Sequence, residues 1–397
     1  MRSAAQTNSE SQSARGPLTD VKVLELKGYG PAPFCGMLLA DMGADVLRVD
    51  RIETVTPEIE AKERYDLYSR NKRSIALDLK QPDAVAALLD LAEHADILIE
   101  PYRPGVMERL GLGPEVCALR NTKLVYGRMT GWGQEGPLAS APGHDINYIA
   151  LMGALYSMGR PEDAPAPPLN LVADLGGGAL YMAFGLMCAL MEARRSGLGQ
   201  VVDAAMVDGV ASLMTGVYGY LELGRWTRQR GRNFLDGGAP YYDVYATSDD
   251  KYVAIGAVEP KFFAELTRRL GLAASELPAQ NDRAGWDALR ERFKQVIKSK
   301  TRAEWTDLFE GAETCFTPVL DLDEAVDHPH NQARGVYVDF AGVKQPGPAP
   351  RLTRTPASLR TAPPASGQHT REALLNWGLS PARVEAGLAS GALWQKC

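Results

Sequence analysis

At 397 residues and a net charge of −6, the chain exceeds one ordinary domain and predicts two, each large enough to bury its own core. Hydrophobic content of 45% and charged content of 23% are those of a soluble globular protein, and the acidic balance argues against a chain built around nucleic acid. Five scattered cysteines, Cys35, Cys117, Cys188, Cys315 and Cys397, lack any C-x-x-C spacing, which argues against a zinc knuckle or a disulfide framework and points to a reducing compartment. No metal site is expected. The first ten residues lack the apolar core of a secretory signal, and Trp394-Gln-Lys-Cys397 is no peroxisomal address, so the expected location is the cytoplasm.

Residues 1–16 are small and polar and predict a disordered tail. Val21–Leu26 then reads as a strand, Gly28–Pro33 as a turn, Phe34–Met42 as a helix and Asp45–Val49 as a second strand. That order makes a βαβ unit of the doubly wound kind, without the G-x-G-x-x-G of a dinucleotide site. The pattern repeats through a strand at Ser74–Asp78, a helix over Gln81–His94, a strand at Asp96–Ile99, a short helix at Met107–Leu110 and a strand at Lys123–Tyr126. Gly176–Arg195 is apolar nearly all round and predicts a helix buried between layers; its three leading glycines speak against a membrane span.

Tyr242–Thr247 and Tyr252–Ile255, joined through Ser248-Asp249-Asp250, predict a hairpin that opens a smaller α+β domain with helices over Lys261–Leu270, Arg283–Lys298 and Arg302–Glu310. The expected division is a large Rossmann-like domain over 17–205 and 335–380, linkers over 206–240 and 319–334, a small domain over 241–318 and an extension over 381–397. A last helix is expected over Thr370–Leu379.

Three stretches carry chemistry. Gly143-His144-Asp145-Ile146-Asn147-Tyr148 follows a glycine-rich loop and holds one of only five histidines, a residue type suited to acid/base work near neutral pH. Read alone, His144 suits a structural role equally well, and Asp145 reads as a capping group before it reads as a catalyst. Asp174, before Leu175-Gly-Gly-Gly178, fits either a helix cap or a proton carrier beside exposed backbone N–H groups. Glu259, before Pro260, is biased to an extended conformation at a strand end and reads equally as a surface glutamate. Arg51, Arg73, Arg103 and Arg109 fall near strand ends or just after them, where a guanidinium either meets a phosphorylated ligand or is simply solvated.

Across Pro17–Pro364 the chain resembles the α-methylacyl-CoA racemases, within the superfamily of class III CoA transferases. The resemblance is carried by Leu39–Val46, Tyr102–Val106, Arg128–Gln134, Gly143–Tyr148, Pro168–Val172, Asp236–Asp243 and Gly256–Pro260. It implies His144 and Asp174 as the two acid/base groups and Glu259 as partner of the histidine. It places Arg51, Arg109, the Glu100-Pro101-Tyr102 turn and Gly143–Tyr148 where CoA binds. It further implies a Rossmann-like domain, a small α+β domain and long linkers, intertwined as a homodimer whose active sites are shared between subunits. No cofactor is implied, since CoA arrives within the thioester substrate, and no nucleic acid or membrane partner is expected. The alternative chemistry is CoA transfer, with Asp174 as nucleophile. The Glu-rich stretch Ile52–Leu67 departs from the family pattern.

Overall fold

A computed structural model describes residues 16–52 and 57–396, so all but the last residue of the tail expected over 1–16 lies outside the described residues. The chain divides into two compact units: one runs up to Ile149 and includes Leu169–Leu213 and the chain from Gly335 onward, and the other comprises Ala150–Pro168 and Met214–Arg334.

The first unit is built on strands β1 (Lys22–Leu26), β2 (Asp45–Asp50), β3 (Arg73–Leu77), β4 (Ile97–Glu100), β5 (Val125–Thr130) and β6 (Val201–Ala205). They pair in parallel in the order 3-2-1-4-5-6, and Leu393–Trp394 adds an antiparallel edge against β3. Every residue of β4 and β5 is buried, as expected where helices cover both faces of a parallel sheet. The order in which strands are added reverses between β1 and β4, so the turns leaving their carboxyl ends diverge and open a crevice. The turns still touch at their base, where a Cβ on Gly28 would meet the Pro101 ring at 2.5 Å.

Helix α1 (Pro31–Asp41) starts with proline in its first turn, where a missing N–H costs nothing, and buries most of its length against the sheet. Helix α2 (Asp145–Leu151) follows the loop after β5. Helix α3 (Leu171–Ser196) winds its first ten residues, Leu171–Leu180, as a π-helix before becoming regular. Its glycines lie inside the helix rather than ahead of it. A Cβ on Gly209 would sit 1.9 Å from the carbonyl oxygen of Gly177, so the helix Met206–Leu213 can press against α3 only because both residues lack one.

Several expectations need correction. Burial of α3 is one-sided: Met182, Leu186 and Leu190 are buried, whereas Phe184 is 70% and Met191 75% exposed. An apolar run records hydrophobicity on every face but not how many faces this chain covers. The linker expected over 206–240 begins as two helices, Met206–Leu213 and Thr215–Glu222, whose glycines Gly209, Gly216 and Gly219 hide the helical signal. The extension over 381–397 supplies the helix Pro381–Ser390, capped by Ser380, and the two-residue edge strand. Residues 150–168, expected with the large domain, cluster with the second unit.

In the second unit β7 (Tyr242–Ala246), β8 (Tyr252–Gly256) and β9 (Phe316–Val319) form an antiparallel sheet in chain order, with Asp250 at φ 55° in the hairpin turn. Helices α4 (Pro260–Arg269), α5 (Trp286–Ile297) and α6 (Arg302–Phe309) belong to the same unit. Tyr245, Phe293, Leu266 and Trp305 lie at the centre of its core.

The basic cluster Arg70-Asn71-Lys72-Arg73 is consumed by the fold of the first unit. Arg70 and Asn71 both bind Asp41, Lys72 binds Glu25 at 2.6 Å with both side chains fully buried, and Arg73 binds Asp45 at 2.6 Å. Burial raises the Glu25 pKa and lowers that of Lys72, so desolvation works against both charges while their attraction holds them. Lys72→Met is therefore expected to cost ~3–5 kcal/mol by leaving Glu25 buried and unpaired. Pairing it with Glu25→Gln should recover most of the loss. Urea unfolding reads both, and an unchanged midpoint for Lys72→Met refutes the account.

Candidate active site

A cavity of about 490 Å³ opens at the carboxyl edge of the sheet, walled by the turns after β1, β4 and β5, by the loop leading into α2, and by the first turn of α3. This is where the reversal of strand order leaves room for a ligand. Both His144 and Asp174 line it, as do Pro101, Tyr102, Arg103, Gly143, Asn147 and Tyr148.

His144 is exposed and its backbone is held from several sides. Its N–H donates to Asn147 Oδ1 at 3.0 Å, and its carbonyl accepts from the N–H of Asn147 and of Tyr148. The Tyr148 hydroxyl donates to the Gly143 carbonyl at 2.6 Å, and Trp132 packs edge-on against the Tyr148 ring at 4.7 Å. None of these bonds uses the imidazole. The loop is fixed by its backbone and its neighbours, which leaves the ring available to the cavity.

Asp174 is half-buried in the opening turn of α3. Asn170 donates to its Oδ2 at 3.2 Å, and Gly30, at φ +67°, lies so close that a Cβ there would be 3.0 Å from the same oxygen. Burial raises the proton affinity of Asp174, and the negative charge of Asp145 raises it further; the Asn170 bond and His144 pull the other way. Asp145 is itself buried and does not line the cavity. Its Oδ2 accepts from the N–H of Ala173 at 2.7 Å and of Asp174 at 2.8 Å.

The remaining sequence-derived residues divide. The Arg51 guanidinium lies 5.9 Å from the ring of the wall residue Tyr102 without itself lining the cavity. Glu100 is buried behind the wall, accepting from the Tyr102 N–H at 2.7 Å and from Arg128 at 3.0 Å; burial pushes its pKa up to about 7 against those two bonds. Arg109 borders a separate shallow pocket with Leu79 and Lys80, and Ile146 faces outward. Arg73 stands at the amino end of β3, beside the first residue of β2, on the sheet edge away from the cavity. Its place in the chain, before a strand rather than after one, already marks the wrong edge. Glu259 belongs to the second unit, where it adopts the extended conformation expected before Pro260 at the start of α4 and makes no side-chain cap to that helix.

Sequence reasoning passed over Tyr29, Met129 and Trp132 as wall residues. All three sit at or just beyond the carboxyl ends of β1 and β5, so the same strand-end rule that singled out Arg51 would have found them. Asn170, four residues before Asp174, is in reach because helical spacing puts both on one face.

The sequence profile of CoA-transferase family III matches residues 18–370. The α-methylacyl-CoA racemase of Mus musculus is 45% identical over 369 residues, covering 92% of this chain and 95% of that protein. The α-methylacyl-CoA racemase of Homo sapiens is 45% identical over 368 residues, covering 91% and 94%. The crystal structure of a CAIB/BAIF family protein from Brucella suis superposes with a TM-score of 0.78 at 25% identity, covering 91% of this chain and all of that one.

Since Arg73 is engaged by Asp45 away from the cavity, Arg73→Ala should leave the dissociation constant for CoA within about twofold and cost about 1 kcal/mol or less. Calorimetric titration with CoA checks the first figure and urea unfolding the second; a tenfold loss of affinity would put Arg73 back in the binding site.

Proposed function

The chain belongs to CoA-transferase family III, and we propose that it inverts the α-carbon of 2-methylacyl-CoA thioesters by moving a proton off one face and returning one to the other. Support comes from the shared cavity of His144 and Asp174 and from the racemase names of the 45%-identical relatives. The carrying observation is that an imidazole and a carboxyl of raised proton affinity, from different segments, line one ligand-sized space.

The hydrogen α to a thioester is weakly acidic, and one side chain seldom reaches both faces of the carbon that bears it. Two groups are needed, one starting empty and the other loaded. In one direction neutral His144 takes the proton, the enolate forms with its charge on the thioester oxygen, and the Asp174 carboxylic acid delivers a proton to the opposite face. In reverse the Asp174 carboxylate takes and the imidazolium gives. Burial of Asp174 favours its loaded state, which an exposed aspartate would hold only in acid. The enzyme ends each turnover with its one transferable proton on the other partner, and no covalent adduct is needed. CoA enters and leaves as part of the substrate, and Tyr102, Arg103 and Arg51 border its path.

Glu259 is assigned as the group that orients the His144 imidazole, supplied by a second copy of the chain. Two features support this: its carboxylate caps no helix of its own, and the apolar outer face of α3, with Phe184 and Met191, is of the kind that subunit contacts cover.

Incubation of one 2-methylacyl-CoA enantiomer in D2O, without any acceptor acid, should label Cα and scramble its configuration. Label that appears only when a free carboxylic acid is added would instead favour CoA transfer through Asp174. His144→Ala and Asp174→Asn should each lower kcat by about 10²–10⁴-fold, the latter because an amide cannot carry the proton. Affinity for CoA should stay within a few-fold, and full turnover by either variant refutes the assignment. Co-expressing His144→Ala chains with Glu259→Ala chains should restore activity that neither has alone, because one site of the mixed dimer then holds both native residues. Failure to complement sinks the shared site.

A further inference from the structure

Asp145 is the buried acid that the proton transfer just described does not use. It is 4% exposed, directly follows His144, and begins α2. Its Oδ2 accepts two backbone N–H groups, those of Ala173 and of Asp174 itself, while its Oδ1 is buried with no partner among the described residues. The first N–H groups of a helix have no partner within it and are usually met by the residue just ahead. In α3 that residue, Asn170, makes no cap and turns its amide to the Asp174 carboxyl. The cap comes instead from the residue beside His144.

We propose that Asp145 is a positioning residue whose single carboxylate ties the backbone of His144 to that of Asp174 and so sets the separation of the two proton carriers. This rests on the racemase reading given above. The tie is short at both ends: one peptide bond separates Asp145 from His144, and one hydrogen bond separates it from the Asp174 N–H. Its charge has a second consequence, since a carboxylate held this close disfavours a second negative charge on Asp174. The other groups facing the Asp174 carboxyl are His144, Asn170, Tyr68 and Tyr148.

Two variants separate the tie from the charge. Asp145→Ala removes both. It should lower kcat by roughly 10²-fold, the loss that follows a misplacement of about 1 Å, with KM within threefold, and should speed hydrogen exchange of the amides at 173 and 174 by about tenfold or more. Asp145→Asn keeps an acceptor for the two N–H groups but no charge. It should hold kcat nearer the parent and move its pH profile: in the direction where Asp174 gives its proton, the alkaline limb falls by roughly 1 pH unit, because Asp174 now loses that proton sooner. Parent-like kcat in Asp145→Ala, or an unmoved profile in Asp145→Asn, overturns the proposal. Should Asp145→Ala not fold, the Asp145→Asn profile decides alone. Absence of Cα exchange in the parent itself would instead remove the racemase reading, and amide exchange at 173 and 174 would still report on the tie.

Discussion

Two backbone amides converge on one carboxylate oxygen, and the cavity takes its form from that convergence. The Asp145 carboxylate stands 28 residues before Ala173 in the chain, yet meets the amides of Ala173 and Asp174 at 2.7 and 2.8 Å. Without it the wide first turns of α3 would present unmet N–H groups inside the protein, at a cost of about 1–3 kcal/mol for each. With it, the loop after β5 and the start of α3 become one object. The parallel sheet supplies the crevice, through the reversal between β1 and β4; the carboxylate fixes what faces into it.

The glycines near this point serve the same end. Gly30 allows the turn after β1 to reach the Asp174 carboxyl, and Gly177 with Gly209 lets the helix Met206–Leu213 seat against α3 behind it. Burial of the Asp174 side chain is therefore a property of three segments that meet, rather than of the apolar residues next to it in sequence. Leu171, an apolar residue three places before it, is itself 53% exposed. The rise in proton affinity was foreseeable from the chemistry required, but its structural source was not.

Elements whose signal is local were legible: β1, β2 and β4, the hairpin of β7 and β8, and helices α4, α5 and α6 all fall within a few residues of their expected places. His144 and Asp174 were legible as residue types in glycine-bounded settings. What failed was information held by partners. Arg73 looked like a ligand group because sequence does not show Asp45 beside it. The two-residue strand Leu393–Trp394 exists only because β3 is there to pair with it. For α3, hydrophobicity on all sides was visible, whereas the number of sides this chain covers was not.

In the proton transfer proposed, the contrast between His144 and Asp174 has a thermodynamic reason. Mirror-image substrates are nearly equal in energy, so an enzyme that interconverts them works best when its two resting protonation states are also close in energy. Unperturbed aspartic acid and histidine are ill matched for this: their pKa values of about 3.9 and 6.5 separate the two states by roughly 3.5 kcal/mol. Left so, the proton would rest almost wholly on the imidazole, and one direction would start from a minor state. Burial of Asp174 and the charge of Asp145 both act to close that gap, while the Asn170 bond and His144 oppose them. An exposed imidazole and a half-buried carboxyl are thus the asymmetric means to a symmetric energy profile.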